Sequence, residues 1–208
     1  QKEVLSGLKL DNGEPIYTQE YIQSLRDTDK KHPDKLKIIA QRGGQEDMLS
    51  IDADIKICGG SRGGSKSFSS LMEVLKDIKN PDFHATILRN EKDDLQSLVT
   101  DSYKLFSQFG TYNKSQNDMT WNFDNGGWLK FSYYAGAYQD FKTRFQGRQY
   151  AYVCIDEGTQ CPYKKFKYLL TNNRNASHIR NRFWITCNPD PESWVRKFID
   201  WWVTDEGY

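Results

Sequence analysis

Three short stretches of the chain combine residue types that could carry phosphoryl chemistry. The first, ICGGSRGGSKSF at residues 57–68, sets Gly59, Gly60, Ser61, Arg62, Gly63, Gly64 and Ser65 ahead of Lys66 and Ser67. Small residues let backbone N–H groups close around phosphate oxygens. A lysine in the first turn of the following helix then reaches the β and γ phosphates, and a neighbouring hydroxyl serves Mg2+. This is the phosphate-loop pattern with one departure, Ser65 in place of its last glycine. A serine there must take up backbone angles that glycine adopts freely, so the stretch alone fits a flexible turn as well as a nucleotide loop.

The second stretch, YVCIDE at residues 152–157, ends an apolar run in Asp156 and Glu157. A metal-bound triphosphate needs a carboxylate from a neighbouring strand. Asp156 would hold Mg2+ directly or through water, and Glu157 would take the proton of the attacking water. An acidic pair after a strand is ordinarily a solvated strand end, but beside an upstream glycine loop it reads as a Walker B motif. The third stretch, WITCNP at residues 184–189, places Asn188 where a γ-phosphate or the attacking water would lie, with an Asx turn before proline as the plain alternative. No Asn-Lys-x-Asp sequence occurs, so ATP rather than GTP is the expected nucleotide.

Three arginines are candidates for stabilising transferred charge. Arg62 could act within its own subunit, whereas Arg144 and Arg148, in KTRFQGRQY, could serve a nucleotide in a neighbouring one. The sequence leaves that choice open. Residues 158–189 also carry Lys164, Lys165, Lys167, Arg174, Arg180 and Arg182 without an acidic residue, which fits either a solvated helix face or contact with a phosphate backbone.

These residues have to be positioned by strands and helices. ADIKICG and then KSFSSLMEVLKDIK read as strand, glycine-rich turn and helix; HATILRN and then NEKDDLQSLVTDSYKLFSQFG repeat the unit, with Asn90 as N-cap and Gly110 as stop. TWNFDNGGWLKFSYY alternates about a DNGG turn and predicts a hairpin added antiparallel to an otherwise parallel sheet. YAYVCIDE and RFWITCNPD are further strands, and PYKKFKYLL and SWVRKFIDWW have helical stripes. The pattern predicts an α/β fold with a mainly parallel central sheet flanked by helices, whose ligands bind at the carboxyl ends of the strands.

Composition narrows the setting. The 208 residues suit one sizeable domain, and 29 Lys plus Arg against 28 Asp plus Glu give a net charge of +1, so any polyanion site must be local. No apolar run approaches the roughly 20 residues that cross a bilayer, and QKEVLSGLKL has no signal-peptide core. The expectation is a soluble, unexported protein. Cys58, Cys154, Cys161 and Cys187 lack metal spacing and are expected as reduced core cysteines, and His32, His84 and His178 as surface or loop residues.

In order along the chain, GGQEDML, ADIKICGGSRGGSKS, FQGRQYAYVCIDEGTQ, FKYLLTNNR and TCNPDPESWVRKFIDWW resemble the large subunit of bacteriophage terminases, the motors that package double-stranded DNA into capsids. The resemblance implies an additional-strand, RecA-like P-loop NTPase fold over residues 41–208, after an N-terminal lead-in at residues 1–40. It implies a Walker A loop from Gly60 to Ser67, Walker B at Asp156 with catalytic Glu157, a coupling motif from Thr186 to Pro189, and an adenine-contacting glutamine, Gln45 or else Gln41. It also implies a ring on the portal protein, a small terminase subunit as partner, and the cytoplasm of an infected bacterium as location. The family's nuclease, with its carboxylate cluster, is expected to be absent from this chain. The competing expectations are a switch that binds ATP without turnover and a helicase-like ATPase on single strands.

Overall fold

The computed structural model describes residues 40, 44–60, 65–115 and 118–200. The chain divides into two compact units, Gln1–Asp52 and Ala53–Tyr208. In the first, helix α1 (Gly44–Ser50) carries the buried side chains of Gln45 and Leu49.

The second unit alternates strands and helices. In chain order these are β1 (Ile55–Cys58), α2 (Lys66–Val74), β2 (His84–Arg89), α3 (Leu95–Phe106), β3 (Gly110–Asn113), β4 (Thr120–Phe123), β5 (Trp128–Tyr133) and α4 (Tyr138–Phe145). They are followed by β6 (Tyr152–Ile155), a 3-10 turn (Gly158–Gln160), α5 (Tyr163–Asn172), β7 (Arg182–Thr186) and α6 (Trp194–Ile199). The strands form one sheet in the order β1-β7-β6-β2-β5-β4-β3. The first five run parallel, and β4 and β3 run antiparallel at one side.

Every residue of β6 and β7 is buried, the mark of central parallel strands covered on both faces. Because side chains alternate along a strand, Val153, Ile155, Phe183 and Ile185 join Phe141, Phe145, Phe166, Leu169 and Val195 of α4, α5 and α6 in one core. The intervening Tyr152 and Trp184 turn to the opposite face, where the Tyr152 hydroxyl donates to the Ser70 carbonyl of α2 at 3.0 Å.

Charge also fastens α2 to the sheet. Glu73, fully buried, pairs with Arg182 Nε of β7 at 2.7 Å and Lys76 at 2.9 Å, with Lys56 of β1 at 3.8 Å. Burial pulls the Lys56 ammonium down to about 8 against the opposing pull of Glu73. Arg182 reaches Asp77 as well.

The hairpin around DNGG forms and adds antiparallel pairing to the parallel sheet as expected, with β5 inside the sheet, parallel to β2, and β3 at the edge. Three expectations are corrected. Gly110, read as a helix stop, opens β3; a Cβ there would overlap the Asn122 backbone, so the glycine serves strand approach. Asn90 is not the N-cap: the helix starts at Leu95, and Asp94 Oδ2 instead accepts from the Glu91 amide at 3.1 Å. His84 is a half-buried strand residue stacked on Trp128 at 4.6 Å, while His178 is an exposed loop residue and His32 lies outside the described residues. All four cysteines are free and buried.

Candidate functional site

The parallel order β1-β7-β6-β2 brings the ends of four strands together. Register pairs Cys58 with Thr186 and Ile155 with both Ile185 and Leu88, so the residues that follow arrive side by side at one edge. Ser65, Lys66, Ser67, Phe68, Asp101, Asp156, Glu157, Thr186, Cys187 and Asn188 line a cavity of about 390 Å3 there.

Lys66 opens α2 and donates to the Gly60 carbonyl at 2.9 Å and, more loosely, to Asn188 Oδ1 at 3.5 Å. Gly60 has φ 144°, a backbone angle that L side chains rarely adopt. Ser65 is left-handed as well, with φ 57° and ψ 13°, a region that glycine enters without penalty. A non-glycine residue there costs on the order of 1–2 kcal/mol. Its carbonyl is nevertheless engaged, accepting from the Ser69 amide at 2.8 Å and the Ser69 hydroxyl at 3.0 Å, which ties the residue to the first turn of α2.

Asp156 is 1% exposed, and both of its carboxylate oxygens have partners. Ser67 Oγ lies 3.0 and 2.9 Å from its two oxygens, the Thr186 hydroxyl donates to Oδ1, and Arg89 Nε donates to Oδ2 at 2.7 Å. Glu157 follows in a left-handed turn, φ 59°, with Gln160 Nε2 donating to its carboxylate at 3.2 Å. Beneath both, the Tyr134 hydroxyl donates to the Glu157 carbonyl at 3.1 Å. Burial raises the Tyr134 phenol far above its ordinary range, so it stays a donor. Gly158 completes the turn, since a Cβ there would run into Ile185 Cγ2.

Ser67 and Asp156 suit Mg2+: a hydroxyl and a buried carboxylate, both hard oxygen donors, within 3 Å of each other. Among the described residues no group of three or more His, Cys, Asp or Glu side chains is placed to hold a metal by itself. That fits Mg2+, which takes one or two protein oxygens and completes its shell with water and substrate phosphates.

The structure thus brings together Gly60, Ser65, Lys66, Ser67, Asp156, Glu157 and Asn188 from the sequence candidates. Ser61, Arg62, Gly63, Gly64 and Gln41 lie outside the described residues, and Gln45 lies on α1 in the other unit. Arg144 and Arg148 line a different cavity, of about 300 Å3, with Lys92, Lys130, Tyr133 and Tyr150. The basic stretch is not one surface. Lys165 is buried, donating to the Tyr134 and Gly136 carbonyls at 2.5 and 2.6 Å, Arg182 is locked to Glu73, and Arg180 pairs with Asp54. Sequence reasoning missed Arg89 and Asp101. The signal for Arg89 was a basic residue ending a strand, but its meaning depends on β2 lying beside β6.

A family model described as "Terminase large subunit, T4likevirus-type, N-terminal" matches residues 57–207. Among solved structures, the large terminase of a thermophilic bacteriophage superposes with TM-score 0.61 at 18% identity, over 79% of this chain and 44% of that one. The same phage protein in complex with ATP-gamma-S gives 0.53 at 19%, over 69% and 35%. The large terminase ATPase domain of Thermus phage P74-26 gives 0.55 at 14%, over 76% and 69%. This chain therefore spans less than half of the first of these proteins. A comparison with curated proteins gives no match.

Proposed function

The chain belongs to the T4likevirus-type terminase large-subunit family, and from that premise we propose that it is an ATPase motor domain that hydrolyses ATP with Mg2+ to move double-stranded DNA. The observation that carries this reading is the meeting of Lys66, Ser67, Asp156 and Thr186 at the ends of β1, β6 and β7 in a single cavity. Similarity to terminases solved with nucleotide supports it. In this reading Lys66 binds the β and γ phosphates, and the amides of Gly60, Ser61, Arg62, Gly63, Gly64 and Ser65 cradle them. Ser67 and Asp156 would hold the metal, which would supply positive charge against the phosphates.

Glu157 takes the proton from the attacking water, and Asn188 senses or orients the γ-phosphate through its contact with Lys66. The adenine is assigned, on the family resemblance alone, to Gln45 or else Gln41. Arg62 is the arginine candidate within the subunit. Arg144 and Arg148 lie in a cavity apart from Lys66, which favours their action on the nucleotide of a neighbouring subunit. The same reading has the motor form a ring on a portal protein, work with a small terminase subunit, and act in the cytoplasm of the infected bacterium. Among the described residues no helix is long and apolar enough to cross a membrane.

Phosphate release from ATP by the chain tests this directly. Turnover is expected with Mg2+ and none with EDTA, with double-stranded DNA at least as effective a stimulus as single-stranded. ATP bound without turnover would make the chain a switch, and stimulation by single strands alone would make it helicase-like.

A further inference from the structure

Arg89 has no part in the roles above, yet it forms an ion pair with Asp156. It ends β2 beside Asp156 in the sheet, and its Nε donates to Asp156 Oδ2 at 2.7 Å. A second arm leaves the site: Nη1 donates to the Asp94 carbonyl at 2.8 Å and to Ser97 Oγ at 3.1 Å, at the start of α3. One turn further along α3, Asp101 lines the nucleotide cavity.

A carboxylate offers about four lone-pair sites, and three of those of Asp156 are taken at a time by the single hydroxyl proton of Ser67, which lies within reach of both oxygens, by Thr186 and by Arg89. Ser67 can offer an oxygen lone pair to a metal while still donating its proton to Asp156. Arg89 has no lone pair to offer and repels a second cation at that distance. We propose that Arg89 is a positioning residue that supplies the counter-charge of buried Asp156 until metal loads, so that it competes with Mg2+, and that its withdrawal loosens the first turn of α3. The inference rests on the reading that Ser67 and Asp156 hold Mg2+. The occupied fraction of Asp156 taxes metal affinity as any competing state does, and the α3 contacts make the first helical turn a reporter of metal loading.

The test is a Mg2+ titration of ATP-gamma-S binding by calorimetry, with amide hydrogen exchange over residues 95–98, on the chain and on Arg89→Gln, Arg89→Lys and Ser97→Ala. For Arg89→Gln, metal-free affinity is expected to stay within about twofold and the Mg2+ concentration for half-maximal effect to fall about tenfold. Exchange at residues 95–98 rises on metal loading in the parent and is already high in Arg89→Gln. Arg89→Lys keeps the charge, so it is expected to hold the parent Mg2+ midpoint while losing the exchange response. Ser97→Ala, which leaves the Asp156 pair intact, guards against misfolding: its midpoint is expected to be unchanged and its exchange response smaller. An unshifted or higher midpoint in Arg89→Gln, or equal losses with and without metal, overturns the inference while leaving the Mg2+ site standing. No Mg2+ dependence in the parent overturns both.

Discussion

Two cavities of comparable size open from the same sheet, about 390 Å3 beside Lys66 and about 300 Å3 beside Arg144, and they are built in opposite ways. In the first, the charged groups are tied mostly to partners distant in sequence: Lys66 to Asn188 as well as to Gly60 of its own loop, and Asp156 to Ser67 of α2, Thr186 of β7 and Arg89 of β2. In the second, cations are held by partners within 12 residues of them in sequence. Arg144 stacks 3.7 Å from the Tyr133 ring and donates to the Tyr133 carbonyl, Arg148 donates to the Arg144 carbonyl, and Lys130 pairs with Asp118. The contrast teaches that positive charge alone does not make a metal-nucleotide site. The Lys66 cavity joins an ammonium to oxygens suited to Mg2+, and strand register fixes their spacing.

The ion pairs of the two regions should separate most widely. Glu73→Ala leaves Arg182 and Lys56 buried without their carboxylate and is expected to cost roughly 3–5 kcal/mol by urea unfolding. Asp118→Ala breaks the pair beside the other cavity, where Asp118 is 45% exposed, and is expected to cost less than about 1 kcal/mol. Equal costs would erase the distinction.

Nucleotide affinity divides the cavities next. Lys66→Ala is expected to weaken ATP binding about 100-fold in calorimetry, the worth of charge-assisted hydrogen bonds of roughly 2–3 kcal/mol, and Arg148→Ala to leave it within about twofold in the isolated chain. A comparable loss from Arg148→Ala would place the nucleotide between the two. The smallest effect concerns Ser65. Relieving its left-handed backbone with Ser65→Gly is expected to raise stability by about 1 kcal/mol or less, with ATP binding equal or tighter. A large loss of binding would mean that the serine hydroxyl contributes to the loop.

What was legible in the sequence follows from what is local. Gly60, Lys66 and Ser67 sit within one strand-turn-helix unit, and Asp156 and Glu157 close one apolar run, so residue order alone marked them. The βα units around them were readable from apolar runs and helical spacing for the same reason. Arg89 and Asp101 were not readable, because their approach to the site depends on β2 pairing with β6 and on how α3 lies, and neither is written in any single segment. Lys165 and Arg182 misled in the opposite sense. Among other basic residues they resembled a surface, yet Lys165 satisfies two buried carbonyls and Arg182 neutralises Glu73. β3 escaped notice because its four residues, GTYN, are short and half-exposed, without the alternation that marks a strand.

Central to the account is that this sheet edge hydrolyses ATP rather than merely holding it, with Glu157 as the base. Glu157→Gln keeps the shape and the turn but removes the proton acceptor. Measured side by side by calorimetry and phosphate release, it is expected to bind ATP within about threefold of the parent and to lose turnover by at least about 100-fold. Turnover at the parent rate would contradict the account.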